Sequence, residues 1–164
     1  MSESPKFNLR NPVHFLALGF GSGLLKPGPG TWGTLAAVPI YWLLAAYLQV
    51  PIEVYLIITG LGFLIGVRLC GKTAQDVGVH DHGAIVWDEI IGFLITMVAI
   101  MPTLTNIVLG FLLFRIFDIF KPWPIKVVDQ KVHGGFGIMV DDVIAGIAAC
   151  LILHLLQEPI SNYF

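Results

Sequence analysis

Two carboxylate pairs carry the clearest chemistry in this sequence. Asp88 and Glu89 stand together at the start of one apolar run, and Asp141 and Asp142 precede another. Ionised groups are costly in apolar helices unless they are paired or bound to a metal, so they indicate function by default. Neighbours on a helix point about 100° apart, so one metal need not contact both members of a pair. The structural alternative is an acidic helix start stabilised by the helix dipole or acting as a cap.

A fifth carboxylate, Asp118, lies between two cations. Arg115 and Asp118 are three residues apart and share one face of a helix. Lys121 then ends the same aromatic and aliphatic stretch, directly before Pro122. This combination suits a metal ligand beside two donors for phosphoryl oxygens, although a purely structural ion pair is the alternative.

A glycine-rich segment from Gly19 to Thr34 precedes the first long apolar run. Glycines let backbone amides approach an anion, and threonine hydroxyls add donors, so the segment is typical of a phosphate-binding loop. We assign Gly30, Thr31 and Thr34 to that role. The segment also contains GxGxxG spacing, but no strand precedes it and the following helix resembles a membrane span, which excludes a dinucleotide site. A tight turn into the first membrane helix is the other interpretation.

Two histidines alternate in a polar loop at His80 and His82. Such a pair could reach a metal or transfer protons, and a structural loop fits the pattern equally well.

The sequence lacks the residues that other phosphatase mechanisms require. Neither Cys70 nor Cys150 is followed six residues later by arginine, no D-x-D motif occurs, and no serine lies in a G-x-S-x-G elbow. The cysteines are interpreted as small buried apolar residues, since their spacing suggests neither a disulfide framework nor zinc. A hard-cation site with oxygen ligands remains as the hypothesis.

Composition points to lipid as the solvent around these residues. Of the 164 residues 56% are hydrophobic and only 12% are charged, and the mean hydropathy is +0.83. A net charge of -2 excludes nucleic acid as a partner. The length favours one domain, residues 1–164, with a polar tail at residues 1–11.

The apolar runs and the prolines at their ends predict an all-α fold, a compact bundle of about five to seven helices with several embedded in the membrane. Several runs are shorter than the roughly 20 residues of a perpendicular span, so some are expected to be buried helices. No strand alternation or repeat is visible. The runs are Leu35–Val50, Val54–Val67, Ile90–Met101, Thr103–Phe117 and Val143–Leu156.

The charges predict the orientation. All nine Lys and Arg residues fall on one side of the five runs, which the positive-inside rule makes the cytoplasm. Nine of the eleven acidic residues share that side, and only Glu53 and Glu158 lie opposite. We expect an N-terminus that is not an export signal and a site that faces the cytoplasm.

Four separated blocks then resemble one family in order: PGTWGTLAA, IVWDEIIGF, FRIFDIFKPWPI and HGGFGIMVDDVIAG. Together they resemble bacterial phosphatidylglycerophosphatase A from about Asn11 to Leu153. The resemblance implies a Mg²⁺-dependent lipid phosphatase of the bacterial cytoplasmic (inner) membrane. Its substrate would be phosphatidylglycerophosphate, and its products phosphatidylglycerol and phosphate.

Roles can be assigned within those blocks as hypotheses. Three carboxylates are expected to bind the metal: Glu89, Asp118 and Asp142. Two more are further ligands or the base that orients water: Asp88 and Asp141. Two cations are expected to bind phosphoryl oxygens and to stabilise their charge in the transition state: Arg115 and Lys121.

Two other functions stay open at this point. A transporter or ion carrier would also place carboxylates in apolar helices, although usually near the bilayer midplane. A lipid phosphotransferase would use the same metal chemistry with an alcohol acceptor. A homo-oligomer is also left open.

Overall fold

The computed structural model describes residues 7–161, with side chains to residue 157. Residues 1–6 of the predicted polar tail, including Glu3 and Lys6, lie outside the described part, as does the side chain of Glu158. The described chain has α-helices and no strand, which confirms the all-α prediction. The helices are α1 Pro12–Ala17, α2 Pro29–Trp42, α3 Ile52–Val77, α4 Trp87–Thr96, α5 Leu104–Phe120, α6 Ile125–Lys131 and α7 Gly134–Ser161.

Two irregular segments flank α2. A 3₁₀ segment covers Gly19–Leu24, and a π-helical turn at Leu43–Tyr47 extends the helix. Gly28 takes the left-handed conformation, with φ of 70°, immediately before α2. Pro29 then opens the helix, where its fixed φ is favourable. The predicted phosphate loop is therefore wrong in its boundary, because Gly30, Thr31 and Thr34 lie on the first turns of a helix.

Helix α4 forms the centre of the bundle. Ile90, Ile91, Phe93 and Leu94 are each at most 3% exposed. The helix contacts α2, α3, α5 and α7. With 10 residues it rises only about 15 Å, so protein rather than lipid surrounds it.

Glycines bring α4 and α7 into close contact. A Cβ at Gly146 would lie 2.5 Å from the Gly92 carbonyl oxygen, and one at Gly92 would lie 3.0 Å from that of Asp142. The Thr96 hydroxyl donates to the Gly92 carbonyl at 3.0 Å. No side chain fits between the two backbones at this level. The helices therefore meet in one register, and both run in the same direction from it.

Helices α3 and α7 are long and apolar enough to cross a membrane. Only 28% of the most apolar window of α3 is buried within the protein, and exposed Ile57, Leu61 and Leu64 are more than half accessible. Because such a surface is unfavourable in water, it suits membrane association. Among the five predicted runs, the run in α4 is a buried helix, as expected for the shorter runs.

The bundle has two contrasting ends. At one end, which we call the charged end, α2, α4 and α7 begin and α5 ends. At the other, the tyrosine end, Tyr41 donates to the Ile100 carbonyl at 2.6 Å and Tyr55 to the Leu94 carbonyl at 2.7 Å.

Both cysteines are free, Cys70 buried and Cys150 half-buried, as interpreted from the sequence.

Candidate active site

Three carboxylates converge at the charged end. Asp88, Glu89 and Asp142 each offer an oxygen within 4.8 Å of the others. Asp88 and Asp142 are 7% and 3% exposed. Each lies four residues before the glycine at which α4 and α7 touch, so each projects from the same side of its helix one turn earlier. The glycine contact thus sets the distance between carboxylates that are 54 residues apart in the chain.

The converging carboxylates have oxygens that no protein donor satisfies. Asp88 Oδ1, Glu89 Oε2 and Asp142 Oδ2 are buried without a hydrogen-bond partner among the described residues. Burial raises the pKa of Asp88 well above its ordinary value. Burial also raises the pKa of Glu89 to about 8, with the charge of Asp142 adding to the effect and a hydrogen bond with Asp88 opposing it. Three carboxylates that each have a buried oxygen without a partner among the described residues fit a hard divalent cation, which would offset their repulsion and desolvation.

Arg115 and Asp118 lie directly beside this group, as their spacing predicts. Arg115 Nη1 donates to Asp118 Oδ2 within α5 and is 4.0 Å from Glu89 Oε1. Arg115 Nε is buried without a partner among the described residues. Asp118 also neighbours Asp142. The guanidinium therefore borders the carboxylate group and retains a free donor.

The start of α2 closes the site from another side. A Cβ at Gly30 would lie 2.3 Å from Glu89 Oε1 and 2.9 Å from Arg115 Nη1. Only glycine lets the backbone approach these groups so closely. The fully buried Thr34 hydroxyl donates to the Gly30 carbonyl at 2.9 Å, so it supports this turn from within the protein. Thr31 is half-buried, and its backbone amide donates to Gly28.

Lys121 forms a second polar group at the same end. Its Nζ lies 2.6 Å from Asp141 Oδ2 and 2.6 Å from Asp129 Oδ1. Burial alone would lower the pKa of Lys121, but the hydrogen bonds to the two carboxylates raise it above its ordinary value. Asp141 Oδ1 is buried without a partner within the described chain. Asp141 therefore holds a cation with one oxygen and keeps the other available.

Both histidines are engaged by backbone amides. His80 Nε2 accepts from the Gly134 amide at 2.9 Å, at the start of α7. His82 Nδ1 accepts from the Ala84 amide at 3.1 Å. Neither belongs to the group formed by the three carboxylates. These contacts are those of a structural loop, and a proton or metal role for the histidines stays a prediction.

A valine positions the start of α4. Val86 is fully buried. Its side chain packs against three glycines, and a Cβ added to any of them would clash with it. The distances from such a Cβ to the nearest Val86 side-chain atom are 2.8 Å for Gly19, 3.0 Å for Gly23 and 2.5 Å for Gly33. The Val86 amide donates to the Ala17 carbonyl at 2.9 Å. The glycines of the N-terminal segment thus form a slot for Val86, which lies two residues before Asp88.

Sequence reasoning missed two features of this site. Asp129 was not assigned, although it follows Ile125 by four residues and so shares its helical face. Asp88 and Asp142 were assigned, but each also precedes a glycine by the same four residues. That shared D-x-x-x-G spacing was a signal that the two helices approach each other in register.

Comparisons with known proteins show the family of the chain. The family model described as Phosphatidylglycerophosphatase A matches residues 15–157. A Haemophilus influenzae protein named Phosphatidylglycerophosphatase A is 51% identical over 154 residues, covering 93% of each chain. The Escherichia coli protein of the same name is 50% identical over 153 residues, covering 92% of this chain and 87% of its own. No solved structure matches the chain. The chain therefore belongs to the phosphatidylglycerophosphatase A family.

Proposed function

We propose that this protein hydrolyses the phosphomonoester of phosphatidylglycerophosphate, giving phosphatidylglycerol and inorganic phosphate. The observation that carries the proposal is the convergence of Asp88, Glu89 and Asp142, with unpartnered buried oxygens, beside Arg115 and the Gly30 backbone. The names of both relatives, which align with nearly the whole chain, support the same substrate.

Asp88, Glu89 and Asp142 would hold the metal. Mg²⁺ is the ion we propose, because all three donors are carboxylate oxygens, which are hard ligands. In proteins Mg²⁺ is usually bound by one or two carboxylates together with phosphate groups of the substrate. Bound there, it would polarise a phosphoryl oxygen and neutralise charge as the phosphorus–oxygen bond breaks. Asp118, which was also predicted to bind the metal, neighbours Asp142 and is proposed to orient Arg115.

The cations and the start of α2 would bind the phosphoryl group. Arg115 has a planar fork of donors that suits phosphate oxygens, and its Nε has no partner among the described residues. The backbone at Gly30 approaches the same place, with Thr31 at its edge. Lys121 would add a second positively charged donor. We propose that these groups hold the phosphate and stabilise its charge in the transition state.

Asp141 is the proposed acceptor for the attacking water. Its Oδ2 is fixed by Lys121, whereas its Oδ1 is buried and has no partner within the described chain. We propose that Oδ1 accepts a hydrogen bond from water and takes its proton as the water oxygen bonds to phosphorus. The bond from phosphorus to the glycerol oxygen breaks, that oxygen takes up one proton from solvent, and Asp141 releases to solvent the proton that it accepted.

The location is proposed from charge and hydropathy. Membrane association follows from the two long apolar helices and the family. We propose that the membrane is the bacterial cytoplasmic membrane and that the charged end faces the cytoplasm, because the bases gather there. The phosphate headgroup of a lipid in that leaflet would then reach the site. We further propose that residues 1–164 act as one domain.

Phosphate release by the purified protein in lipid nanodiscs tests the function. We expect phosphatidylglycerol and one equivalent of phosphate from phosphatidylglycerophosphate, with activity lost in a chelator and restored by Mg²⁺. Other lipid phosphates should be poorer substrates under the same conditions. Transfer of the phosphate to an added alcohol, without free phosphate, would replace hydrolysis by phosphotransfer. No consumption of the lipid at any metal concentration would overturn the proposal.

A further inference from the structure

Helix α6 presents one unassigned carboxylate to the site. Ile125, 2% exposed, anchors this seven-residue helix in the core. Asp129 follows Ile125 by four residues, so it lies on the same face one turn later. Its Oδ1 accepts from Lys121 Nζ at 2.6 Å, and the same ammonium also donates to Asp141 Oδ2 at 2.6 Å.

We propose that Asp129 is a positioning residue that fixes the ammonium of Lys121 for the substrate phosphate. An ammonium group has three N–H donors, and the two carboxylates account for two of them. With two N–H groups held by these hydrogen bonds, Lys121 keeps its third N–H in one direction. This inference rests on the proposed function, in which Lys121 binds a phosphoryl oxygen.

The backbone supports the same arrangement. Lys121 caps α5 in the left-handed conformation with φ of 41°, which turns the chain away from the helix axis toward α6. The Lys121 side chain is 25% exposed and that of Asp129 is 32% exposed. A lysine side chain this accessible has many rotamers to lose, so two partners are needed to hold it in one geometry. Asp141 alone would fix one N–H and leave the ammonium free to rotate about it.

The experiment is a double-mutant cycle on phosphate release from phosphatidylglycerophosphate, with Asp129→Asn and Lys121→Met made singly and together. Asp129→Asn should lower kcat/KM about tenfold, mainly through kcat, because a charge-assisted hydrogen bond is lost. Lys121→Met should lower it further. In the Lys121→Met background the Asp129 change should have little additional effect, because Asp129 acts through Lys121. Asp129→Glu should recover part of the loss.

One control variant and one further readout separate this role from a structural one. Asp76→Asn removes a carboxylate from another lysine pair, Lys72–Asp76 at 2.5 Å, and should leave kcat/KM near the wild-type value. A second readout does not depend on activity: acylation of Lys121 by an amine reagent, followed by mass spectrometry, should rise several-fold in Asp129→Asn.

The outcomes are distinguishable. Equal losses from Asp129→Asn with and without Lys121 would overturn the inference, as would unchanged kcat/KM together with unchanged acylation. Wild-type protein that releases no phosphate would instead contradict the proposed function, and the acylation result would still decide whether Asp129 holds Lys121.

Discussion

The two ends of the bundle bury polar groups in opposite ways. At the tyrosine end, the hydroxyls of Tyr41 and Tyr55 each donate to a carbonyl, so burial costs little and the contacts stabilise the fold. At the charged end, Asp88 and Asp142 are also buried but have oxygens without partners in the described chain. A buried carboxylate left unpaired is strongly destabilising. The difference indicates that the first end maintains structure, whereas the second is built for a ligand.

Substitution of Asp142 should produce the largest effect. Asp142→Asn removes one charge from the carboxylate group while it preserves shape, and we expect phosphate release to fall by about 10³-fold, the order found for loss of a key charged or polar group in an active site. Steady-state assays at saturating Mg²⁺ would measure it, with circular dichroism to verify folding. A folded variant with wild-type turnover would remove Asp142 from the site.

Substitution of Gly30 should give the next largest loss. In Gly30→Ala the new methyl would lie 2.3 Å from Glu89 Oε1, so α2 or the carboxylate must move. A displacement of about 1 Å at a reacting centre can lower the rate about 10²-fold. Gly60→Ala is the matched control, because a Cβ there meets nothing within 4 Å. Similar activity in both variants would argue against a close approach of α2 to the site.

The tyrosine end should respond in stability and not in turnover. Tyr55→Phe leaves the buried Leu94 carbonyl without this donor and should lower the free energy of unfolding by about 1–3 kcal/mol. Denaturant unfolding in detergent would measure the change, and kcat of the folded fraction should stay at the wild-type value. A large fall in kcat without loss of stability would contradict the structural role of the tyrosine end.

The smallest effect should be a gain of stability at the charged end. The folded-state pKa of Asp88 is raised above that of the unfolded chain, so without metal its contribution to stability falls as pH rises past the ordinary carboxyl range. Asp88→Asn removes this loss and should raise the free energy of unfolding at pH 7 by about 1 kcal/mol, within the range seen when buried charge is replaced.

Mg²⁺ should reverse the order of stability of the wild type and Asp88→Asn. The ion should raise the melting temperature of the wild type through preferential binding to the folded state, and should raise that of Asp88→Asn less. Thermal unfolding at several pH values, with chelator or Mg²⁺, would follow both effects. A metal-free wild type more stable than Asp88→Asn at every pH would contradict this account of the charged end.

Much of the architecture follows from local pattern. Apolar runs bounded by prolines predict helices, and the scarcity of charge predicts a membrane environment, because both depend on neighbours along the chain. The pairing of Arg115 with Asp118 follows likewise from their three-residue spacing. The start of α2 was missed because the pattern of Gly28 and Pro29 resembles a loop as much as a helix opening.

The composition of the site depends on contacts that no local pattern specifies. Five carboxylates in three of the four blocks could have met a metal in several combinations. The contact of Gly92 with Gly146 selects a group that includes Asp88 and Asp142, because it sets the register of two helices distant in the chain. Asp129 gains a role only when α6 folds back against Lys121. Residue types therefore predict the chemistry, whereas helix packing determines which carboxylates converge and which hold the cations beside them.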